Sequence, residues 1–173
     1  MKKILVVVDI QKDFVDGSLG TKEAAAIIPN AVKKIGEYDN IIVTFDTHSE
    51  DYLSTNEGKN LPVIHCVEGT NGWQLNDDIK AALAEKDYIS VKKPAFGSIK
   101  LPELVAELAG KEDFSVELIG LCTDICVVSN ALLLKANFPE AEISVDSSCC
   151  AGVTPELHEA ALNTMRSCQI NIK

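Results

Sequence analysis

The chain has 173 residues, of which 46% are hydrophobic and 24% are charged. These proportions are typical of a soluble globular protein, and we expect residues 1–173 to form a single domain. The formal net charge of −10 disfavours nucleic acids and anionic membranes as partners, because both require clustered lysine and arginine. No apolar stretch approaches the length of a membrane span.

Short apolar segments rich in β-branched residues recur along the chain and predict strands buried on both faces. They are Ile4–Val8, Ile41–Phe45, Tyr88–Val91, Val116–Ile119 and Ile143–Val145, with Gln169–Ile172 as a sixth candidate. Apolar residues at helical spacing lie between them, over Lys22–Tyr38, Leu75–Ala84, Leu101–Ala109, Thr123–Ala136 and Thr154–Arg166. This alternation predicts an α/β fold with three layers, a doubly wound parallel sheet of about six strands.

The cysteines indicate a reducing environment. There are six, and none belongs to a CxxC pair. The basic start at Lys2 and Lys3 precedes only a short apolar run, which no small-residue cleavage site follows. We therefore expect reduced thiols and a cytoplasmic location.

Ionisable or nucleophilic side chains follow four of the predicted strands. Asp9 ends the first strand, and Asp46 and His48 follow the second. Lys93 follows the third strand, and Cys126 lies in the first turn of the helix after the fourth. Ligands of parallel sheets bind beyond the carboxyl ends of the strands, so we expect these side chains to meet there. A helix N-terminus stabilises a thiolate, which makes Cys126 a candidate nucleophile, although taken singly it could equally be a small core residue.

A metal site is a second candidate. Asp46 and His48 lie on one side of an extended segment, and His65 follows in a long stretch, residues 47–73, without clear periodicity. Three N/O ligands suit a divalent metal such as zinc. The spacing alone also allows two loop histidines that are satisfied by hydrogen bonds. The third histidine, His158, lies on the last predicted helix, where we expect a surface residue.

Three motifs resemble those of the isochorismatase-like cysteine hydrolases, a family that includes the nicotinamidases. Val8-Asp-Ile-Gln-Lys-Asp-Phe14 resembles their DxQxDF signature. Gly120-Leu-Cys-Thr-Asp-Ile-Cys-Val127 is similar to their nucleophile segment, and Val91-Lys-Lys-Pro-Ala-Phe-Gly-Ser98 to the segment of their catalytic lysine. The likeness covers nearly the whole chain, including the order of its elements.

The resemblance implies a catalytic triad of Asp9, Lys93 and Cys126, with Lys92 as the alternative lysine. The thiolate would attack an amide carbonyl, release ammonia and form a thioester that water hydrolyses. The backbone N–H groups of Cys122 and Cys126 would form the oxyanion hole, next to a cis peptide bond that precedes Cys122.

The resemblance also implies a metal that holds the pyridine nitrogen of the substrate. The implied ligands are Asp46, His48 and His65. Phe14 and Phe96 are the expected walls of the substrate pocket. Leu61 stands where nicotinamidases usually carry a tryptophan, and Thr47 and Ser49 replace the tryptophan and proline of their D-W-H-P segment.

The sequence therefore predicts a zinc-assisted amidohydrolase, a nicotinamidase or an enzyme for a similar small carboxamide, working as a homo-oligomer without nucleic-acid or membrane partners. A cysteine hydrolase for a carbamoyl or ureido compound is the alternative. An isochorismatase proper is disfavoured, because those relatives do not need the cysteine. A non-catalytic ligand-binding module would share the alternating pattern, but it has no reason to place Asp9, Lys93 and Cys126 at three strand ends.

Overall fold

Six parallel strands form one sheet in the computed structural model, which describes residues 1–173. The strands are β1 (Lys2–Val8), β2 (Asn40–Asp46), β3 (Tyr88–Lys93), β4 (Phe114–Leu121), β5 (Glu142–Ala151) and β6 (Asn171–Ile172). Their order across the sheet is β3-β2-β1-β4-β5-β6. The chain moves outwards in one direction from β1 and in the other from β4, so the topological switch point lies between these two strands.

Helices cover both faces of the sheet. They are α1 (Lys12–Val15), α2 (Lys22–Ala26), α3 (Ile28–Gly36), α4 (Asn56–Asn60), α5 (Asp77–Leu83), α6 (Leu101–Ala109), α7 (Val128–Asn137) and α8 (Pro155–Ser167). One apolar core lies beneath α1, α2, α3 and α5, and the other beneath α6, α7 and α8. The predicted three-layer, doubly wound parallel sheet is confirmed. No helix combines the length and the apolar character that a membrane crossing requires.

The central strand β1 shows why the predicted strands are continuously apolar. Side chains of Ile4–Val8 point alternately into the two cores, and all of them are completely buried. A strand covered on both faces has no solvent side for polar residues. After Lys2 and Lys3 at the start of the strand, the next polar residue, Asp9, therefore comes only at its carboxyl end.

Two helices differ from their predicted bounds. The segment Lys22–Tyr38 forms two helices, α2 and α3, with Pro29 in the first turn of α3, where a missing N–H costs no hydrogen bond. The helix predicted from Thr123 begins as a π-helical turn, Thr123–Val127, and becomes α-helical at Val128. Single π turns inside helices are frequent at functional sites.

Gly120 lets β1 and β4 approach closely at the switch point. Its φ is 126°, and an added Cβ would lie 2.0 Å from the carbonyl oxygen of Val8. Any side chain here would force the two strands apart. The glycine thus sets the spacing between the end of β1 and the turn that follows β4.

Candidate active site

The register of the sheet brings the predicted residues to one edge. Asp46 is paired directly with Lys93 across β2 and β3. Val8 is paired with residues of both β2 and β4, so Asp9 emerges from the sheet between these strands. Cys126 lies in the π turn that directly follows β4. All four side chains therefore begin near the carboxyl ends of neighbouring strands.

Asp9, Lys93 and Cys126 form a buried cluster. Lys93 Nζ lies 2.6 Å from Asp9 Oδ2 and 3.3 Å from Cys126 Sγ. The same ammonium lies 3.2 Å from Asp46 Oδ1 and donates to the carbonyl oxygen of Ala95 at 3.1 Å. Asp9 is 0% exposed, Lys93 1% and Cys126 4%. The structure thus brings the three residues of the predicted triad together.

Lys92, the alternative lysine, points away from this cluster. Its side chain is about half exposed and forms an ion pair with Glu68 on the surface. Lys92 Nζ also lies 5.4 Å from the ring centroid of Trp73. Successive strand residues face opposite sides, so only one of the two lysines can enter the site. In this structure that residue is Lys93.

The charges in the cluster shift the pKa values of its members. Burial raises the pKa of the Asp9 carboxyl, and although Lys93 opposes this effect, Asp46 adds to it. Burial also raises the pKa of the Cys126 thiol well above its ordinary value, with a further increase from Asp9 and opposition from Lys93. Burial lowers the pKa of Lys93, but the negative charges of Asp9, Cys126 and Asp46 raise it overall. The lysine therefore stays protonated, and Asp9 is a better proton acceptor than an exposed aspartate.

The backbone of Asp9 has an uncommon conformation. Its φ is 49°, in the left-handed region that a non-glycine residue enters at a cost of about 1–3 kcal/mol. The hydroxyl of Thr44 donates to Asp9 Oδ1 at 2.5 Å, and the N–H of Asp9 donates to the carbonyl oxygen of Thr44 at 3.3 Å. These contacts with β2 hold the carboxylate against Lys93.

Gln11 and Asp13 hold the surrounding loops in place. Gln11 Oε1 accepts from the N–H of Asp46 at 2.8 Å, and its Nε2 donates to the carbonyl oxygens of Asp46 and Trp73, both at 2.9 Å. Asp13 Oδ2 accepts from the N–H of Cys66 at 2.8 Å, directly after His65. The DxQxDF motif therefore supplies Asp9 to the cluster and fixes the backbone beside two predicted metal ligands.

The predicted metal ligands Asp46, His48 and His65 converge, and Glu57 joins them. Each residue offers one ligand atom, and the four atoms lie within 4.8 Å of one another. The Nε2 atoms of His48 and His65 lie 3.0 and 3.5 Å from Asp46 Oδ2, and 3.6 and 3.7 Å from Glu57 Oε1. Two imidazole nitrogens and two carboxylate oxygens form a donor set that suits a divalent ion such as zinc. The residues present therefore fit a metal.

The same contacts explain the charge state of Asp46. Burial alone would raise its pKa, but hydrogen bonds with His48 and His65 and the charge of Lys93 keep the pKa of this carboxyl well below its usual range. His65 Nδ1 contacts the carbonyl oxygen of Val63 at 2.8 Å, which leaves Nε2 facing the cluster. Asp46 is therefore an ionised carboxylate, with one oxygen facing His48 and His65 as a metal ligand would and the other accepting from Lys93.

Glu57 is the possible ligand that the sequence reasoning missed. It lies in the first turn of α4, a helix of five residues whose N-terminus is capped by Thr55. A helix this short leaves no periodic pattern in the sequence. The one local signal is the capping threonine, whose side chain accepts from the N–H of Gly58 at 3.0 Å.

An apolar cavity of about 200 Å³ lies between Cys126 and the cluster of predicted metal ligands. Cys126 lies at one part of its wall, and Asp46, Glu57 and His65 lie at another. Most of the remaining wall is apolar, and includes Phe14, Leu19, Leu61, Phe96, Leu121, Ile125 and Val153. The two phenylalanines predicted as pocket walls thus both line the cavity. Leu61 is part of the wall as well.

Cys122 lies at the start of the turn that carries Cys126, and both cysteines line the cavity. The peptide bond between Leu121 and Cys122 is cis, as the family resemblance implies. The carbonyl oxygen of Cys122 accepts from the N–H groups of Ile125 and Val127, both at 3.1 Å, whereas its own N–H donates to no other atom of the chain. This amide is available to a bound molecule.

His158 does not lie freely on the surface, as its place on the last helix suggested. It is partly buried, and its Nδ1 lies 2.8 Å from Thr123 Oγ1 in the turn before Cys126. No pattern in the chain indicates this contact, because the two residues are 35 positions apart.

The doubly wound parallel sheet and the buried ionisable cluster at its carboxyl edge are those of an enzyme with an α/β fold. The family model described as the isochorismatase domain matches residues 3–172, so the chain belongs to the isochorismatase family. The nicotinamidase/pyrazinamidase of Mycobacterium tuberculosis is 26% identical over 183 residues, covering 98% of this chain and 97% of that protein.

Solved structures of similar proteins agree with this assignment. The pyrazinamidase/nicotinamidase from Streptococcus mutans is 27% identical with a TM-score of 0.85, covering 99% of this chain and 100% of that one. The pyrazinamidase of Pyrococcus horikoshii, crystallised in complex with zinc, is 28% identical with a TM-score of 0.77 and covers 100% and 99% of the two chains.

Proposed function

We propose that this protein is a nicotinamidase, which hydrolyses nicotinamide or a closely similar small carboxamide to the acid and ammonia. The reaction class, hydrolysis of an amide C–N bond, follows from the family and from its curated relatives. The substrate is our proposal. The observation that supports it is one apolar cavity whose wall contains Cys126, from the buried Asp9–Lys93–Cys126 cluster, and three members of the four-residue N/O cluster.

In this proposal Cys126 is the nucleophile and Asp9 the general base. Asp9 accepts the thiol proton, and the charge of Lys93 stabilises the thiolate, which attacks the carbonyl carbon. The N–H groups of Cys122 and Cys126 stabilise the oxyanion. Asp9 returns the proton to the leaving nitrogen, ammonia departs, and a thioester to Cys126 remains. Asp9 then deprotonates a water molecule, which attacks the thioester and releases the carboxylic acid.

Asp46, His48, Glu57 and His65 would hold a divalent metal, which we propose to be zinc. A bound metal supplies a Lewis acid for a ring nitrogen of the substrate. The chain itself keeps the donor atoms in position, because Gln11 fixes the backbone of Asp46 through two hydrogen bonds and bonds to the carbonyl oxygen of Trp73 through a third. Such supporting contacts commonly change metal affinity by about 10–100-fold when they are lost.

The cavity favours an uncharged substrate over the ureido alternative. Its lining residues include no lysine or arginine, and Lys93, the nearest cation, is paired with Asp9 at 2.6 Å. Asp46 and Glu57 in the wall offset the charge of a bound divalent metal, so the carboxylate of a ureido acid would meet no net positive charge here, and burying such a carboxylate is costly. A neutral aromatic carboxamide buries its ring against apolar walls at no such cost.

Two further expectations accompany this proposal. All six cysteines are free, and a thiol nucleophile works in a reducing compartment, so we propose a cytoplasmic location. The homo-oligomer expected from the sequence stays a prediction, since a single chain contains the whole of the proposed site.

Ammonia release from a panel of amides tests the substrate. We expect kcat/KM for nicotinamide and pyrazinamide to exceed that for N-carbamoylglycine by at least about 100-fold, because the cavity wall offers the carboxylate no lysine or arginine and two carboxylates offset the charge of a bound metal. A coupled glutamate dehydrogenase assay measures the ammonia directly. Preferred turnover of the ureido compound, or no turnover of either ring amide, would contradict the proposal.

The His48→Ala variant tests the metal. We expect the purified variant to lose most of its bound zinc, measured by elemental analysis, and its KM for nicotinamide to rise by about 10–100-fold with a smaller change in kcat. Removal of one positioning ligand weakens substrate binding more than the chemistry at Cys126. Glu50→Ala, which removes an exposed carboxylate two residues away, is the matched control and should change neither quantity. Full activity of metal-free protein would show that the cluster has another role.

A further inference from the structure

The loop before α8 and the first turn of that helix are bonded to the turn that carries the nucleophile. Thr123 Oγ1 lies 2.8 Å from His158 Nδ1. One residue further along, Asp124 Oδ1 accepts from the N–H of Val153 at 3.0 Å. The two contacts hold the start of the π turn from the side opposite to β4.

Gly152 packs closely against two groups of this contact region. A Cβ added to Gly152 would lie 2.8 Å from Asp124 Oδ1 and 2.8 Å from the backbone nitrogen of His158. Real Cβ atoms do not approach other atoms so closely, so only glycine fits between the Asp124 side chain and the first turn of α8. The backbone of His158 is therefore packed against Gly152, whose neighbour Val153 is bonded to Asp124.

Thr123 connects His158 to the turn that carries Cys122 and Cys126. It is completely buried and stands directly between Cys122 and Asp124. Its hydroxyl has one hydrogen-bond partner in the chain, His158. Burial lowers the pKa of His158 although Glu159 and Asp124 oppose this, so the ring is neutral near pH 7. A neutral ring protonated on Nε2 accepts the threonine hydroxyl on Nδ1.

We propose that His158 is a positioning residue, which fixes Thr123 and thereby aims the Cys122 amide and the Cys126 thiol at the substrate carbonyl. The inference goes beyond the proposed function, which uses no residue of α8, and it rests on that function only in taking Cys126 as the nucleophile. His158 itself does not touch the substrate in this proposal. Misplacement of reacting groups by even about 1 Å can cost about 100-fold in rate. Loss of a contact that only orients the turn can therefore lower the rate measurably.

Two pairs of variants test the hydrogen bond separately from the packing, and in each pair one variant can keep the bond and the other cannot. In His158→Asn the side-chain amide places a polar atom where Nδ1 lies, whereas in His158→Gln it lies one bond further out. We expect kcat of His158→Gln to fall by about tenfold with KM changed less than about twofold, and His158→Asn to recover to within about threefold of the unmodified enzyme. Thr123→Val, which removes the hydroxyl, should behave like His158→Gln, and Thr123→Ser like the unmodified enzyme.

The rate at which iodoacetamide labels Cys126 provides a second measurement, which needs no substrate and stays valid if nicotinamide is not turned over. We expect slower labelling in His158→Gln and Thr123→Val than in their conservative partners. The double variant should be no slower than either single variant, because both remove the same bond. The proposal is overturned if these variants lower only the melting temperature while kcat and the labelling rate stay unchanged. Equal losses in His158→Asn and His158→Gln would also overturn it.

Discussion

Cys126→Ala should lower kcat by at least about 10⁴-fold while the protein stays folded. The side chain is 4% exposed and its sulfur lies 3.3 Å from Lys93 Nζ, so the thiol points at the cation rather than into an interchangeable core position. Removal of one sulfur atom leaves a small cavity and costs about 1 kcal/mol of stability, far less than the loss of a nucleophile costs the reaction. Cys126→Ser should be almost as inactive, because a serine hydroxyl beside a carboxylate base stays protonated.

Ammonia release measures the expected loss of kcat, and thermal unfolding of the same samples measures the small expected loss of stability. Cys168→Ala, which removes the exposed cysteine, is the control and should keep full activity. Mass mapping after brief treatment with iodoacetamide should find Cys126 modified before the other buried cysteines, and a bound amide should slow this modification. If Cys66 or Cys149 is modified first and Cys126 is not modified at all, another residue is the nucleophile.

The sequence was sufficient to place the residues of the proposed triad together because the fold is a parallel sheet. Strands that are buried on both faces consist of continuous apolar residues, and polar residues appear where these apolar segments end. Asp9, Lys93 and Cys126 each follow such a run, and the carboxyl ends of parallel strands meet at one edge. The choice between Lys92 and Lys93 also follows from strand geometry, but it needs the orientation of β3, which the sequence does not fix by itself.

The contacts that could not be predicted are those between segments that carry no periodic pattern. Glu57 belongs to a five-residue helix in a stretch without regular spacing, so apart from the capping Thr55 nothing in the chain distinguishes it from the other acidic residues. His158 contacts Thr123 although the two residues are 35 positions apart, and Gly152 leaves room there for the Asp124 side chain and the first turn of α8. Gln11 and Asp13 were visible as motif residues, but their hydrogen bonds to Asp46 and Cys66 depend on how the loops close over the sheet.

Asp9→Asn should separate thiolate formation from turnover. Asparagine cannot accept the thiol proton, return it to ammonia or deprotonate water, so we expect kcat to fall by at least about 10³-fold. Although kcat falls, the Cys126 thiol should become more reactive. Burial and Asp9 raise the pKa of Cys126 and Lys93 lowers it, so removal of the Asp9 carboxylate leaves the cation opposed only by Asp46 and lowers the pKa of the thiol. The variant should therefore react faster with iodoacetamide near neutral pH while it hydrolyses almost no amide.

The pH dependence of thiolate absorbance at about 240 nm, compared with that of the unmodified enzyme, measures this shift of the Cys126 titration to lower pH. The variant should stay folded, because Asp46 Oδ1, 3.2 Å from Lys93 Nζ, remains as a counter-charge. Asp39→Asn is the matched control, since Asp39 has a 98% exposed side chain and should affect neither titration nor turnover. An Asp9→Asn variant with an unchanged or higher thiol pKa would mean that Asp9 does not act on Cys126 by charge. Retained turnover would mean that a different group carries the proton, and Asp46, the other carboxylate in contact with Lys93, would be the next residue to replace.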